Sequence, residues 1–295
     1  MHRHGAKPLP RIPMKTPKRL QPLVEDGLVD EVVRQLMSGK EATVYVVRCG
    51  GEIRCAKVYK DAAQRSFRQA ATYQEGRKVK GSRQARAMEK GTRYGRKVAE
   101  EAWHNAEVDA LYRLAAAGVR VPRPHLCFEG VLLMELVVDA DGNAAPRLND
   151  VALSPELALE FHAALIGQVI LMLCAGVVHG DLSEFNILVD AEGPVIIDLP
   201  QAVDAAGNND ASVMLERDVD NLAFYFGQFA PELNDTQYGK EIWALYQAGL
   251  LHPGVKLTGR VEVDDRPVDV EAVLQEVEDV RLEEEARQRY LQSAE

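Results

Sequence analysis

The feature that most constrains this chain is a segment rich in polar side chains, residues 179–198, which follows the most apolar run of the sequence. The segment begins H-G-D-L-S-E-F-N, so Asp181 is followed five residues later by Asn186. A short apolar run then ends at a second carboxylate, Asp198. Any one of these side chains alone could be structural, but their combination in this order indicates a catalytic segment.

Phosphoryl transfer requires this set of side chains, because positioning and charge neutralisation supply nearly all of its catalysis. One carboxylate must accept the proton of the attacking hydroxyl, and we predict Asp181 for this role. Two oxygen ligands must hold the cation that bridges the phosphates, and Mg²⁺ prefers hard oxygen ligands. We predict Asn186 and Asp198 as these ligands. The segment therefore predicts a kinase-type site that uses ATP with Mg²⁺ or Mn²⁺.

A strand lysine and a helical glutamate complete the predicted site. The run C-A-K-V places Lys57 on a β-rich segment well before Asp181, where kinases carry the lysine that contacts ATP phosphates. Its ion-pair partner should be a glutamate on the following helix. We predict Glu107, with Glu100 and Glu101 as alternatives.

A short loop, S-G-K-E-A, precedes the strand that we predict to be the first one. It is not a P-loop, which would need glycine at position 34 and Ser or Thr at position 41, where this chain has Arg34 and Glu41. Backbone N–H groups around Gly39, with the side chains of Ser38 and Lys40, could still hold phosphate. We therefore include Ser38, Gly39 and Lys40 among the predicted nucleotide contacts.

The remaining pattern predicts a strand-rich first half and a helical second half. We expect one hairpin over residues 41–48 and 53–59 and another over 126–138, because both regions are rich in β-formers and contain turn residues. A long helix, interrupted by glycines, should occupy residues 61–117. A second helix should begin after Ser154, a plausible N-cap that is followed by proline.

Charge is distributed unevenly along the chain. The net charge of −10 argues against a dedicated DNA-binding protein, but residues 54–98 carry fourteen Lys and Arg against three acids. A solvated surface is the simplest explanation of such a run. An excess of this size also suits association with RNA, through the release of counterions from phosphates.

Three features favour a cytoplasmic protein with no membrane association. The N-terminus lacks the apolar run of a signal peptide, and the most apolar stretch, residues 163–178, is shorter than a bilayer span. The four cysteines form no C-x-x-C pair, so they predict neither a zinc site nor a disulfide framework.

Four motifs together resemble the RIO family of atypical serine/threonine protein kinases: S-G-K-E-A, A-K-V-Y, H-G-D-L-S-E-F-N and I-D-L-P-Q. The resemblance extends over roughly residues 31–230 and implies an α+β, two-lobe protein-kinase-like fold without an activation loop. It implies four regions: a basic N-terminal extension (1–30), a strand-rich N-lobe (31–137) with a basic insertion (61–97), a helical C-lobe (138–260) and an acidic helical tail (261–295).

The resemblance also implies individual roles. The run M-E-L-V would be the hinge, with the Glu135 carbonyl and the Val137 N–H binding adenine. Asp218, in the run E-R-D-V-D-N, would brace the backbone of the catalytic segment. Trp103, four residues before Glu107, fits the family's helix and so favours Glu107 as the partner of Lys57. No winged-helix domain is recognised before the kinase-like region, which suits the family branch that lacks one.

The resemblance implies an ATP-dependent serine/threonine protein kinase, with self-phosphorylation or ATP hydrolysis as variants of the same chemistry. It also implies a partner in the small ribosomal subunit, which residues 54–98 could contact. Two other functions remain open. One is a small-molecule phosphotransferase of the aminoglycoside or choline kinase type, which also carries H-G-D-L and I-D runs. The other is an RNA-binding ribosome-assembly factor with ATPase activity.

Overall fold

The computed structural model describes residues 14–60 and 106–260. All of these residues belong to one of the two units into which the chain divides, Met1–Arg260. The predicted insertion 61–97 and acidic tail 261–295 lie outside the described residues, and so does most of the helix predicted over 61–117.

The first half is a five-stranded antiparallel sheet in the order β1-β2-β3-β5-β4. Its strands are β1 (Glu31–Ser38), β2 (Ala42–Cys49), β3 (Glu52–Tyr59), β4 (Pro124–Phe128) and β5 (Val131–Glu135). The predicted hairpin of β2 and β3 is confirmed, and Cys49 pairs with Glu52 across its turn. Gly50 and Gly51 form that turn with φ of 57° and 85°, a conformation that two-residue hairpins favour and side chains disfavour.

Two elements near the N-terminus were not predicted. Strand β1 precedes the loop that we expected to lead into the first strand, and a short helix, α1 (Gln21–Glu25), lies before it. Only Val32 of β1 is buried, and its pairing with β2 shifts register twice, so the strand lacks the alternating pattern that sequence reasoning needs. Leu20, Leu23 and Val29 are buried in the core of the sheet, so the expected extension 1–30 joins the first lobe from residue 20 onwards.

The second hairpin begins and ends slightly earlier than predicted, at Pro124 and Glu135 rather than at 126 and 138. A helix precedes it in the chain, α2, whose described part covers residues 106–116. Gly118 follows this helix with a φ of 79°, which a C-terminal glycine adopts without strain. The helix packs Val108, Leu111 and Leu114 into the core of the protein.

The second half is mainly helical, with α3 (Pro155–Cys174), α4 (Ala211–Phe226) and α5 (Tyr238–Gln247). The predicted cap of α3 is confirmed, because Ser154 Oγ accepts a hydrogen bond from Leu157 N at 3.2 Å. By length and composition α3 could cross a membrane, contrary to our expectation from residues 163–178. Leu165 and Leu173 are fully buried in one apolar core with Leu222 and Phe226 of α4, as expected for a core helix.

Four short strands lie between α3 and α4: β6 (Val177–Val178), β7 (Ile187–Asp190), β8 (Gly193–Ile196) and β9 (Val203–Asp204). Strand β6 pairs with β9, and β7 forms a hairpin with β8. The polar segment 179–198 starts after β6 and ends after β8. A strand-rich lobe followed by a helical lobe is the α+β, kinase-like arrangement that the sequence implied.

Candidate active site

Lys57 stands at the centre of the site. Residues alternate between the two faces of β3, so Ala56 and Val58 enter the core that α1 covers, while Lys57 faces the opposite way with Tyr59. The Lys57 ammonium lies 2.5 Å from Glu107 Oε1 and 2.7 Å from Asp198 Oδ1. The structure thus brings together three residues predicted from distant parts of the sequence. The alternatives Glu100 and Glu101 lie outside the described residues.

The opposite charges of Lys57, Glu107 and Asp198 stabilise one another. Burial alone would lower the pKa of Lys57, but the adjacent Glu107 and Asp198 carboxylates raise that pKa above its ordinary value. Burial raises the pKa of Asp198, yet the charge and hydrogen bond of Lys57 outweigh it, and the pKa lies below its ordinary value. Lys57 is therefore positive and Asp198 negative at neutral pH.

Asp198 is held in an unusual backbone conformation, with a φ of 68°. This left-handed region is sparsely populated by residues other than glycine, and such conformations are concentrated at functional sites. The neighbouring Ile197 is fixed on both sides, since its N–H donates to Asn186 O at 2.9 Å and its carbonyl lies 3.1 Å from His179 Nε2. The Asp198 side chain is 44% exposed and so can be reached from the cleft.

Asp181 and Asn186 form the second part of the site. The turn Glu184–Asn186 brings the Asn186 amide nitrogen to 2.8 Å from Asp181 O and 3.5 Å from Asp181 Oδ2. With its nitrogen directed to Asp181, Asn186 presents its Oδ1 as the oxygen that a cation would meet. Desolvation raises the pKa of Asp181 above its ordinary value, in spite of the positive charge of Arg217 nearby. A raised pKa favours proton acceptance.

The backbone of this segment is braced from helix α4. Asp218, which is only 1% exposed, accepts hydrogen bonds from Gly180 N at 2.7 Å and Leu182 N at 3.0 Å. Burial raises the pKa of Asp218 to about 6. This is the bracing contact that the resemblance implied.

Two further braces were missed by sequence reasoning. Arg217 donates to the Gly180 carbonyl, and Asn221 Nδ2 donates to the Leu182 carbonyl at 3.1 Å. Residues 217 and 221 are four apart, so they share one face of α4, and this spacing is the signal that could have revealed them. Each peptide group that flanks Asp181 is therefore held from the same helix.

The chain between Asp198 and α4 is short and partly packed into the second lobe. Leu199, Ala202 and Ala205 are buried, and β9 pairs with β6 before α4 begins at Ala211. The segment is therefore part of the core of the second lobe. This agrees with the absence of an activation loop that the resemblance implied.

The predicted phosphate loop is a tight turn between β1 and β2. Gly39 N donates to Ala42 O at 2.9 Å, so this N–H serves the turn itself in the present conformation. Lys60, which sequence reasoning did not single out, donates to Gly39 O at 2.6 Å and to Ser38 Oγ at 3.2 Å. The structure gives Lys40 no described contact with the site. Nucleotide contacts by Ser38, Gly39 and Lys40 stay a prediction.

The predicted hinge lies where β5 ends. Glu135 N donates to Arg123 O at 2.8 Å, and Val137 O accepts from Ala145 N at 3.0 Å. Both ends of the hinge are thus tied to neighbouring segments. Adenine binding by the Glu135 carbonyl and the Val137 N–H stays a prediction.

The donor set fits a Mg²⁺-bound nucleotide. Asn186 and Asp198 offer hard oxygen atoms on neighbouring segments, and the Lys57 ammonium next to Asp198 can meet a phosphate. Among the described residues, no group of three His, Cys, Asp or Glu side chains forms a metal site. The predicted site uses one carboxylate, one carboxamide and the oxygen atoms of the nucleotide, which suits Mg²⁺ rather than a resident metal held by protein alone.

Comparison with known proteins gives consistent matches. The RIO domain matches residues 43–238 of this chain. The RIO-type serine/threonine-protein kinase Rio1 of Haloferax volcanii is 36% identical over 206 residues, covering 69% of this chain and 66% of that protein. The serine/threonine-protein kinase rio1 of Schizosaccharomyces pombe is 29% identical over 208 residues, covering 69% of this chain and 40% of that protein.

The chain therefore spans 66% and 40% of the length of these two relatives. Among solved structures, the crystal structure of a kinase domain aligns with 70% of this chain, and the alignment covers 65% of that protein's chain. Its TM-score is 0.41 at 14% sequence identity.

Proposed function

This chain belongs to the RIO family of atypical serine/threonine kinases, and from that premise we propose that it transfers the γ-phosphoryl group of Mg-ATP to a serine or threonine hydroxyl. One observation carries the proposal. Lys57 forms ion pairs with both Glu107 and Asp198. Asp198 directly follows Ile197, whose N–H donates to the carbonyl of Asn186, and Asn186 lies beside Asp181. The residues proposed to hold the cation, contact a phosphate and accept the proton thus lie next to one another.

The roles of the residues follow from their charges and contacts. Asp181 takes the proton of the acceptor hydroxyl as that oxygen attacks the γ-phosphorus, and ADP leaves as the bond between the γ-phosphorus and the bridging oxygen breaks. Asp198 and Asn186 would hold the cation, which would neutralise charge on the phosphates. Lys57 binds a phosphate oxygen, and Glu107 keeps Lys57 in place because it is buried and remains bonded to the ammonium.

Asp218, Arg217 and Asn221 keep the Asp181 backbone fixed while its side chain stays exposed to the acceptor. Rigid placement matters because a misplacement of about 1 Å can cost about 10²-fold in rate. These three residues position the base and do not touch the reacting atoms.

The experiment that tests the proposal supplies γ-labelled ATP to the purified protein in three parallel reactions. One contains a basic acceptor protein, one contains aminoglycosides and choline, and one contains no acceptor. We expect label on serine or threonine of the acceptor protein or of the chain itself. Label on the small molecules alone would instead identify a small-molecule phosphotransferase, and free labelled phosphate alone would identify an ATPase.

A second proposal concerns association with RNA or a ribosomal subunit through residues 54–98, whose excess of Lys and Arg supports it. Each phosphate contact with single-stranded RNA should add about −0.7 to the slope of log affinity against log salt. Changing Arg83, Arg86, Lys90 and Arg93 to Ala should flatten this slope and leave ATP affinity unchanged. A wild-type protein that binds no RNA at low salt would contradict the proposal.

We also propose a cytoplasmic location, because all four cysteines are free thiols and such thiols persist in reducing compartments. Fractionation of cells that express the full chain would test this proposal.

A further inference from the structure

Arg147 lies on the rim of the cleft, where the two lobes approach each other. Its backbone forms a bridge with Leu188 of β7, and the carbonyl of the preceding Pro146 accepts from Val189 N at 2.9 Å. Residues 146 and 147 are therefore fixed to the strand that begins immediately after Asn186. From this anchor the side chain reaches the other lobe, where its Nη2 lies 3.1 Å from Met37 Sδ.

The charge of Arg147 is poorly compensated in this position. A thioether sulfur is a weak acceptor, whereas a guanidinium carries five donors and a full charge. Within residues 14–60 and 106–260, no carboxylate forms an ion pair with Arg147, although other arginines, such as Arg48 and Arg120, do pair. A cation in such a position can accept an anionic ligand without first giving up a protein carboxylate.

The guanidinium also acts electrostatically on the cation end of the cleft. Its positive charge interacts with the carboxylate of Asp198. Met37 precedes Ser38, where the turn between β1 and β2 begins. Arg147 thus lies between that turn on one side and the strand that follows Asn186 on the other.

We propose that Arg147 binds the phosphate chain of the nucleotide from the rim of the cleft. Met37 of β1 pairs with Val44, and Val44 pairs with Lys57, so the end of β1 lies level with Lys57 across the sheet. A nucleotide whose phosphates reach Lys57 would therefore pass close to Arg147, which contacts Met37. The planar fork of a guanidinium matches phosphate oxygens and forms strong charge-assisted bonds with them. The inference rests on the proposed function only in requiring that the cleft bind ATP.

The test compares affinities for Mg-ATP, Mg-ADP and adenosine by titration calorimetry. In Arg147→Met, which retains an apolar stem against Met37, ATP and ADP affinity should fall about tenfold, the loss expected for one hydrogen bond to a charged group. Adenosine affinity should stay within about twofold, because adenosine has no phosphate. Arg147→Lys should recover part of the loss. The control is Arg48→Met, which removes the same charge from an exposed ion pair on β2 and should change none of the three affinities.

Two results would overturn the inference. An equal loss for adenosine and ATP would show that Arg147 only packs against Met37, and unchanged ATP affinity would show no contact at all. Should Arg147→Met fail to fold, Arg147→Gln takes its place with the same expectations. Phosphate-dependent loss in a protein that transfers no phosphoryl group would support the inference and contradict the proposed function. A wild-type protein that binds no ATP would contradict both.

Discussion

The two sides of the cleft hold their functional residues by different means. On the sheet side, the buried Lys57 is compensated by opposite charges on α2 and at the end of the polar segment. On the helical side, the Asp181 loop is held mainly by hydrogen bonds to its peptide groups, donated or accepted by three side chains of α4. Charge pairing joins distant parts of the chain, whereas backbone bracing fixes one loop against one helix.

This difference has energetic consequences. Removing one partner of a buried ion pair leaves an uncompensated charge, which costs far more than the loss of an exposed pair. Removing any one of the three bracing side chains leaves at least two of the four hydrogen bonds in place. Substitutions on the sheet side should therefore mainly lower the stability of the fold, and substitutions on the helical side should mainly lower the rate of catalysis.

The largest expected effect is on catalysis and comes from the helical side. Asp181→Asn should lower the rate of phosphoryl transfer by about 10²–10⁴, the usual contribution of a positioned base. Affinity for Mg-ATP should change only a few-fold, because the base acts on the acceptor hydroxyl rather than on the nucleotide. Single-turnover transfer and equilibrium binding, measured on the same preparation, separate the two quantities. Near-normal transfer by the variant would remove Asp181 from this role.

On the sheet side we expect a large loss of stability. Lys57→Met leaves Glu107, which is 4% exposed, without its cation, so the free energy of unfolding should fall by about 3–5 kcal/mol. The double variant Lys57→Met, Glu107→Leu should recover much of this loss. The matched control is Arg48→Met, whose pair with Glu31 is exposed and should contribute at most about 1 kcal/mol. Equal losses for Lys57 and Arg48 in urea unfolding would contradict the distinction between the two sides.

The two sides should also differ in their response to pH. The folded protein holds the Asp218 proton more tightly than the unfolded chain does, with a pKa of about 6 against an ordinary 3.8. The contribution of Asp218 to stability should therefore fall as pH rises from about 4 to about 6, by about 3 kcal/mol at 1.36 kcal/mol per pKa unit. Unfolding of wild type and Asp218→Asn across this range measures the difference. A difference that does not change with pH would be inconsistent with a buried, titrating Asp218.

The pairing of Lys57 with Asp198 should show no such dependence over the same range. The pKa of Lys57 lies above its ordinary value. Burial raises the pKa of Asp198, but the positive charge of Lys57 outweighs this effect and the pKa of Asp198 lies below its ordinary value. Both side chains therefore stay charged between pH 4 and 6. The contribution of Asp198 to stability is lost only as pH falls below its ordinary pKa.

Some residues of the site could be predicted from the sequence and others could not, and the difference again depends on the type of contact. The polar segment 179–198 is contiguous, so its residues could be identified from their order alone. The partner of Lys57 lies fifty residues away, and residue types alone left three glutamates open. Strand β1 was not predicted because bulges interrupt its alternation of buried and exposed residues. Sequence reasoning also missed Lys60, Arg147 and Arg217, because the residues next to them in the sequence give no sign of their contacts in the fold.

The smallest expected effect concerns activation. The segment after Asp198 is buried and paired, and Gly180 stands where many kinases have the arginine that contacts a phosphorylated activation loop. Protein treated with phosphatase should therefore transfer phosphoryl groups as fast as untreated protein. A lag that pre-incubation with ATP removes would show that phosphorylation is needed after all.

The central claim is that the two sides of the cleft meet at one site for nucleotide and cation, with Asp198 as the residue they share. The most direct test is the affinity for ATP of wild type and Asp198→Asn, each measured with Mg²⁺ and with EDTA. We predict that Mg²⁺ strengthens ATP binding to the wild type and that Asp198→Asn loses most of this gain, because the cation would contact both this carboxylate and the phosphates. If the variant binds ATP in Mg²⁺ as tightly as the wild type does, Asp198 is not a cation ligand and the claim is wrong.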